Sequence, residues 1–132
     1  MPELPLTLPT AHRLKSREAI STLFNKGRTL HATPVKIIYK LSEELAPPPI
    51  QVAFAVSKRQ FPRAHDRNRM KRLMREAYRM QQNIIGPILM NSDKRLHVMF
   101  LFTGSSLTTF NEVKEKFQVV LERLKLELER GA

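Results

Sequence analysis

The chain has 132 residues, 42% of them hydrophobic, which suits one compact domain and leaves too little for two separate cores. Its 23 Lys and Arg against 12 Asp and Glu give a formal net charge of +11, more than solubility requires, and this implies a polyanionic partner. With no cysteine, disulfides and thiolate metal sites are excluded, and no apolar run of about 18 residues is available to span a bilayer.

Taken in chain order, Pro2, Pro5 and Pro9 lack amide donors and predict an extended tail over residues 1–11 ahead of a single domain over 12–132. No basic region precedes an apolar stretch here, so the tail does not read as a secretory signal and a cytoplasmic location is expected. Ser16 caps a predicted helix over 17–26 that puts Ile20, Leu23 and Phe24 on one face, with Gly27 as a left-handed exit. Arg28 to His31 predicts a short edge strand. Thr33 to Leu41 alternates, with Val35, Ile37 and Tyr39 on one face. Ala46-Pro47-Pro48-Pro49 cannot continue a ladder, so a loop precedes the next strand, Ile50 to Ser57, whose nearly continuous apolar character predicts burial on both faces.

Pro62 suits the first turn of a helix running to about Ile85, and Asp66 suits either a cap or the positive end of the helix dipole. Met70, Leu73, Met74, Ala77, Gln81 and Ile84 fall on one arc of that helix, and Gly86-Pro87 is expected to end it. Arg95 to Phe102 predicts a fourth strand. Thr109-Phe110-Asn111-Glu112 is a capping box opening a last helix that buries Phe110, Val113, Phe117, Val120, Leu121, Leu124 and Leu128. The order αβββαβα predicts an α+β sandwich with a mostly antiparallel, four-stranded sheet.

The charge is concentrated. Residues 58–79 hold nine bases and two acids, so this segment carries +7 of the +11. On the basic helix, Arg67, Lys71, Arg75 and Arg79 advance along one flank with Asn68 and Arg72 beside them, while Arg69 lies on the other. Planar guanidinium forks suit phosphate oxygens, and Asn68 can bond sugar or base edges, so the array is read as a nucleic-acid surface. A solvated helix face usually mixes signs, as the last helix does. Six bases against Glu76 alone between 67 and 79 carry a repulsion that an unbound helix has no reason to keep.

The segment Arg67-Asn68-Arg69-Met70-Lys71-Arg72-Leu73-Met74-Arg75-Glu76 resembles the signature of the bacterial ribonuclease P protein family. The resemblance extends to His12-Arg13-Leu14-Lys15, to Phe24-Asn25-Lys26-Gly27 and to Val52-Ala53-Phe54-Ala55-Val56-Ser57-Lys58-Arg59, covering about residues 12–129. It implies an accessory subunit of an endoribonuclease that trims the 5′ leader from precursor tRNA. In such an enzyme the RNA subunit carries the catalytic, magnesium-dependent site, and the protein has no catalytic residues, binds no metal of its own and needs no obligate protein partner. It also implies that Arg67, Asn68, Arg69, Lys71, Arg72 and Arg75 contact the RNA subunit, and that Arg13, Lys15, Phe24, Lys58 and Arg59 line or flank a cleft for the leader. A left-handed βαβ crossover through the basic helix is implied as well, against the usual right-handed rule.

Single strands are held by basic grooves with aromatic platforms, a role that Phe24 could fill with help from Phe54 or Tyr39. Three departures stand out. Ile20 replaces a usual cleft aromatic. Gln60-Phe61-Pro62-Arg63-Ala64-His65 is an altered and apparently longer connection, in which Phe61 is a candidate new stacking group. No Arg follows Leu101-Phe102-Thr103.

Other chemistries find little support in the sequence. His12, His31, His65 and His97 lack metal-site spacing, adjacent Glu43 and Glu44 point apart, and Ser57-Lys58 has no legible second base or oxyanion framework. The rival reading is a non-catalytic RNA-binding module such as a ribosomal or RNA-chaperone protein. A DNA-binding regulator would need a helix-turn-helix pair, which is not discernible.

Overall fold

The computed structural model describes residues 12–42 and 48–131. The predicted tail over 1–11, the pair Glu43-Glu44, and Ala46 and Pro47 of the predicted loop lie outside the described residues.

The first helix, α1, spans Arg17–Lys26, and Ser16 Oγ accepts the Ala19 N–H at 3.2 Å, satisfying one of the helix's orphan donors. Gly27 does not leave α1 in a left-handed conformation: its φ is −75° and its ψ 158°. Glycine is required there for space. A Cβ would lie 2.5 Å from the Leu23 carbonyl oxygen and 2.6 Å from Ile38 Cγ2, because the chain turns directly from the helix onto the sheet.

Strands β1 (Arg28–Ala32), β2 (Val35–Ser42), β3 (Ile50–Val56) and β4 (Arg95–Phe102) form one sheet in the order β1-β2-β4-β3. The β1–β2 and β2–β4 pairs are antiparallel and β3–β4 is parallel, so the sheet is mixed. Thr33-Pro34 forms the turn between β1 and β2, which starts β2 two residues later than the alternation predicts. The apolar run of β3 predicts a strand buried on both faces, but β3 is an edge strand, and Ala53, Phe54 and Ala55 are only partly buried. Its outer edge is partly covered by a short parallel bridge from Arg13 to Val52, with the Leu14 N–H donating to the Val52 carbonyl at 2.6 Å.

The connection from β3 to β4 runs through helix α2 (Ala64–Gln81), a 3₁₀ turn over Gln82–Ile84 and a five-residue helix, α3 (Gly86–Met90). Pro62 lies ahead of the helix rather than in its first turn, and Arg63 occupies the N-cap with no side-chain cap bond. Asp66 therefore serves the dipole, not the cap. Gly86-Pro87 opens α3 instead of closing α2, since proline has no donor to lose in a first turn. The last helix, α4, spans Phe110–Gly131. Its capping box is half formed: Thr109 Oγ1 accepts the Glu112 N–H at 3.3 Å, while the Glu112 carboxylate takes its bond from the Thr108 hydroxyl.

Alternation along the strands sorts the core into two layers. Val35, Ile37 and Tyr39 of β2, Val52 of β3 and Val98, Phe100 and Phe102 of β4 face α2 and α4, where they meet Met70, Met74, Tyr78, Phe117 and Leu121. Phe100 is stacked between Phe54 at 5.5 Å and Phe117 at 4.7 Å. Ile38 and Met99 face the other way, against Leu23 of α1 and Leu14. Since the Cβ at position 27 would intrude on the α1–sheet junction, Gly27→Ala should destabilise the protein by about 1–3 kcal/mol, read as a lower urea midpoint at unchanged m-value.

Candidate RNA interface

The roll of α2 follows from what it buries. Met70, Met74, Ala77 and Tyr78 are all buried, and Tyr78, absent from the arc predicted by sequence, packs 6.3 Å from Phe54 and 5.4 Å from Phe100. Burial raises the Tyr78 pKa well above its ordinary value, so the ring is a neutral core element. Gln81 ties the opposite flank to α4, with Nε2 donating to the Lys114 carbonyl at 3.0 Å. At about 100° per residue, Lys71 and Arg75 then project from the flank nearer β3 and Asn68 and Arg72 from the outward face, where Arg72 borders a hollow shared with Leu73, Glu76, Met80 and Phe110. Arg69 projects from the α4 side, as do Leu73 and Met80.

The six bases in this segment are not equivalent. Asn68, Arg69 and Arg72 are exposed, and Lys71 and Arg75 are half-buried. Arg67 is engaged within the fold: its Nη1 donates at 2.8 Å to the carbonyls of both Phe61 and Pro62, closing the turn ahead of the helix. Arg79 pairs with Glu76, Nε donating to Oε2 at 2.9 Å and Nη2 to Oε1, and this bond holds the Glu76 carboxyl below the usual carboxylate range. Arg75 has its pKa lowered, by burial first and then by the guanidinium groups of Arg13 and Arg72. Like charges therefore converge at this point.

The other face of the sheet carries a different surface. Ile20, Ala53, Ala55 and Leu101 pack around the Leu14–Leu23–Ile38–Met99 cluster, so Ile20 supplies apolar contact where an aromatic platform is lacking. Phe24, one turn further along the same flank of α1, is 55% exposed. Tyr39 and Phe54 point into the α2–α4 layer and are not available as platforms beside it. Phe61 is no stacking group either: it is 4% exposed and packs 5.8 Å from Phe102, which keeps the chain out of helix until Arg63. An open cavity of about 680 Å³ lies between Ala55, Ser57, Arg59 and Gln60 on one side and Leu101 and Thr103 on the other. Arg59 is exposed at its rim, its neighbour Lys58 is exposed as well, and Lys15 is exposed ahead of α1. At the position without the expected arginine, the Thr103 hydroxyl bonds the Pro34 carbonyl at 3.0 Å.

Arg13 falls elsewhere. It pairs with Val52, whose side chain faces α2, and its neighbour Leu14 points into the α1 layer, so Arg13 is directed to the α2 side of the sheet. Among the described residues no group of three or more His, Asp or Glu is placed to hold a metal ion, and no helix is long and apolar enough to cross a membrane.

A family model described as Ribonuclease P matches residues 8–125. The chain belongs to the ribonuclease P protein family. It is 31% identical to the ribonuclease P protein component of Porphyromonas gingivalis over 117 residues, covering 89% of this chain and 85% of that one. The corresponding protein of Chlorobaculum tepidum is 46% identical over 81 residues, 59% of this chain and 53% of the relative. The fold matches the RNase P protein of Staphylococcus aureus with a TM-score of 0.70 at 18% identity, covering 88% of this chain and 97% of that one. It matches the RNase P protein of Thermotoga maritima at 0.66 and 22% identity, covering 84% and 96%. The α+β reading and the subunit role in a tRNA-processing ribonucleoprotein are thereby established, and with them association with ribonuclease P RNA.

Because Arg67 braces the turn before α2, Arg67→Ala should lower stability by about 1 kcal/mol, whereas Arg69→Ala should stay within about 0.5 kcal/mol of wild type. Parallel urea titrations of the two variants test this difference.

Proposed function

We propose that the β3-side flank and outward face of α2, with Arg69 on the α4 side, grip the ribonuclease P RNA, while the opposite face of the sheet receives the 5′ leader of precursor tRNA. Catalysis and its magnesium ions belong, on this reading, to the RNA subunit. Arg67, Asn68, Arg69, Lys71, Arg72 and Arg75 form the first surface, with Arg67 acting mainly by fixing the helix start. Phe24, Lys58 and Arg59, with Lys15 nearby, form the second.

The observation that carries this reading is the two-sided layout. Like-charge neighbours one turn apart, Arg67 and Lys71, Lys71 and Arg75, and Arg75 and Arg79, each cost an isolated helix about 0.2–0.5 kcal/mol, and only Glu76 offsets them within the segment. RNA phosphates remove that cost. On the other face, exposed Phe24 beside apolar Ile20, with Arg59 at a cavity rim and Lys58 exposed next to it in the chain, offers the stacking and backbone contacts a single strand needs.

Reconstitution with a bacterial ribonuclease P RNA, measuring precursor-tRNA cleavage at low magnesium with and without the protein, tests the reading as a whole. Stimulation is expected, and none across several such RNAs would favour a ribosomal or chaperone-like role. Arg69→Ala should weaken assembly with the RNA subunit. Lys58→Ala should spare assembly and raise the KM only for substrates with a leader; if both changes act on one step, the two-surface division is wrong.

A further inference from the structure

We infer that Arg13, Arg72 and Arg75 form a single phosphate-binding site at the outer edge of β3, making the segment His12–Leu14 part of the interface with the RNA subunit. This rests on the reading of α2 as the surface for that RNA and extends it to a residue from another part of the chain.

Backbone pairing carries the inference. The bridge to Val52 puts Arg13 in register with a residue whose side chain faces α2, and the burial of Leu14 on the α1 side fixes the alternation. A residue so placed cannot share the surface of Ile20 and Phe24, which lies across the sheet. Arg72 and Arg75 stand three residues apart on α2 and are therefore neighbours on its surface. Arg13 and Arg72 are exposed, and Arg75 is half-buried between them and the core. No described carboxylate forms an ion pair with any of the three. With Arg13 and Arg72 each close enough to act on Arg75, the three guanidinium groups offer several N–H forks, which suit the non-bridging oxygens of one phosphate or two consecutive ones. Burial first, and then repulsion from Arg13 and Arg72, lowers the Arg75 pKa, and an entering anion relieves the repulsive part.

The chemistry favours a phosphate of folded RNA over one of the leader. The site is continuous with the α2 flank, whereas the apolar and aromatic features that a single strand uses lie on the other face.

The test uses holoenzyme reconstituted from the full chain, ribonuclease P RNA and precursors with long and one-nucleotide leaders. Arg13→Ala should weaken the affinity for the RNA subunit about tenfold and reduce the slope of log affinity against log salt by about 1. The penalty should be the same for both leader lengths. Arg13→Lys should keep the salt slope while recovering only part of the affinity. Combining Arg13→Ala with Arg75→Ala should cost less than the product of the single effects, since both act on one anion. Unchanged affinity for the RNA subunit, a defect confined to long leaders, or strictly multiplicative effects would each overturn the site. A wild-type chain that failed to bind the RNA subunit at all would instead remove the reading beneath it.

Discussion

The parallel pairing of β3 with β4 is the constraint from which the rest of the molecule follows. Parallel neighbours cannot be joined by a tight turn, so the chain must cross a face of the sheet, and α2 is the main element of that crossover. Its roll is then fixed by Tyr78, which is wedged against Phe54 and Phe100, and by Met70, Met74 and Ala77 beside it. Once those side chains face the sheet, helical periodicity turns Lys71 and Arg75 to the flank nearer β3 and leaves Arg72 beside them on the outward face. The apolar core thus aims the charge, and a change at Phe100 would reach the basic flank proposed to bind RNA without touching a basic residue.

The sheet also keeps two basic surfaces apart. Helix α2 packs on one face and α1 on the other, so the α2 flank and Phe24 are presented to different sides of the sheet. Only at the edge of β3 do the two faces come near, and there the His12–Leu14 segment divides between them: Arg13 turns to α2 and Leu14 to α1. One short stretch of chain is thereby coupled to both layers.

Where periodicity and local chemistry decide the outcome, the sequence was informative. The first helix, the fourth strand and the buried stripe of the last helix stand where spacing puts them, because an amphipathic helix or an alternating strand has one way to bury its apolar side. The family and its α+β fold were legible too, from the motifs around the basic helix. Errors arose where a long-range partner overrode a local preference. Gly27 reads as a left-handed exit but is there because Ile38 and the Leu23 carbonyl leave no room for a Cβ. The β3 run reads as a central strand but lies at the edge, its alanines sparing space for α1 rather than filling a second full layer. Tyr78 lies outside the arc that spacing predicts, although its ring completes the Phe54–Phe100 stack. No pattern in the letters could place Arg13, because its direction is set by a pairing with Val52, 39 positions away.

Phe61 and Arg67 show how a departure within a motif is accommodated. Phe61 enters the core against Phe102, and its N–H bonds the Ser57 carbonyl at 3.0 Å, so the chain is held in a turn that exposes the carbonyls of Phe61 and Pro62. Arg67 Nη1 donates to both of these carbonyls, and so ties the turn to a helix start that has no side-chain cap of its own. The same guanidinium that heads the basic signature thus sets the angle at which α2 leaves the turn, and with it the direction of Asn68 and Arg69. A side chain can govern an RNA interface through its own backbone without contributing a phosphate contact, and a charge count alone would assign its effect to the wrong cause.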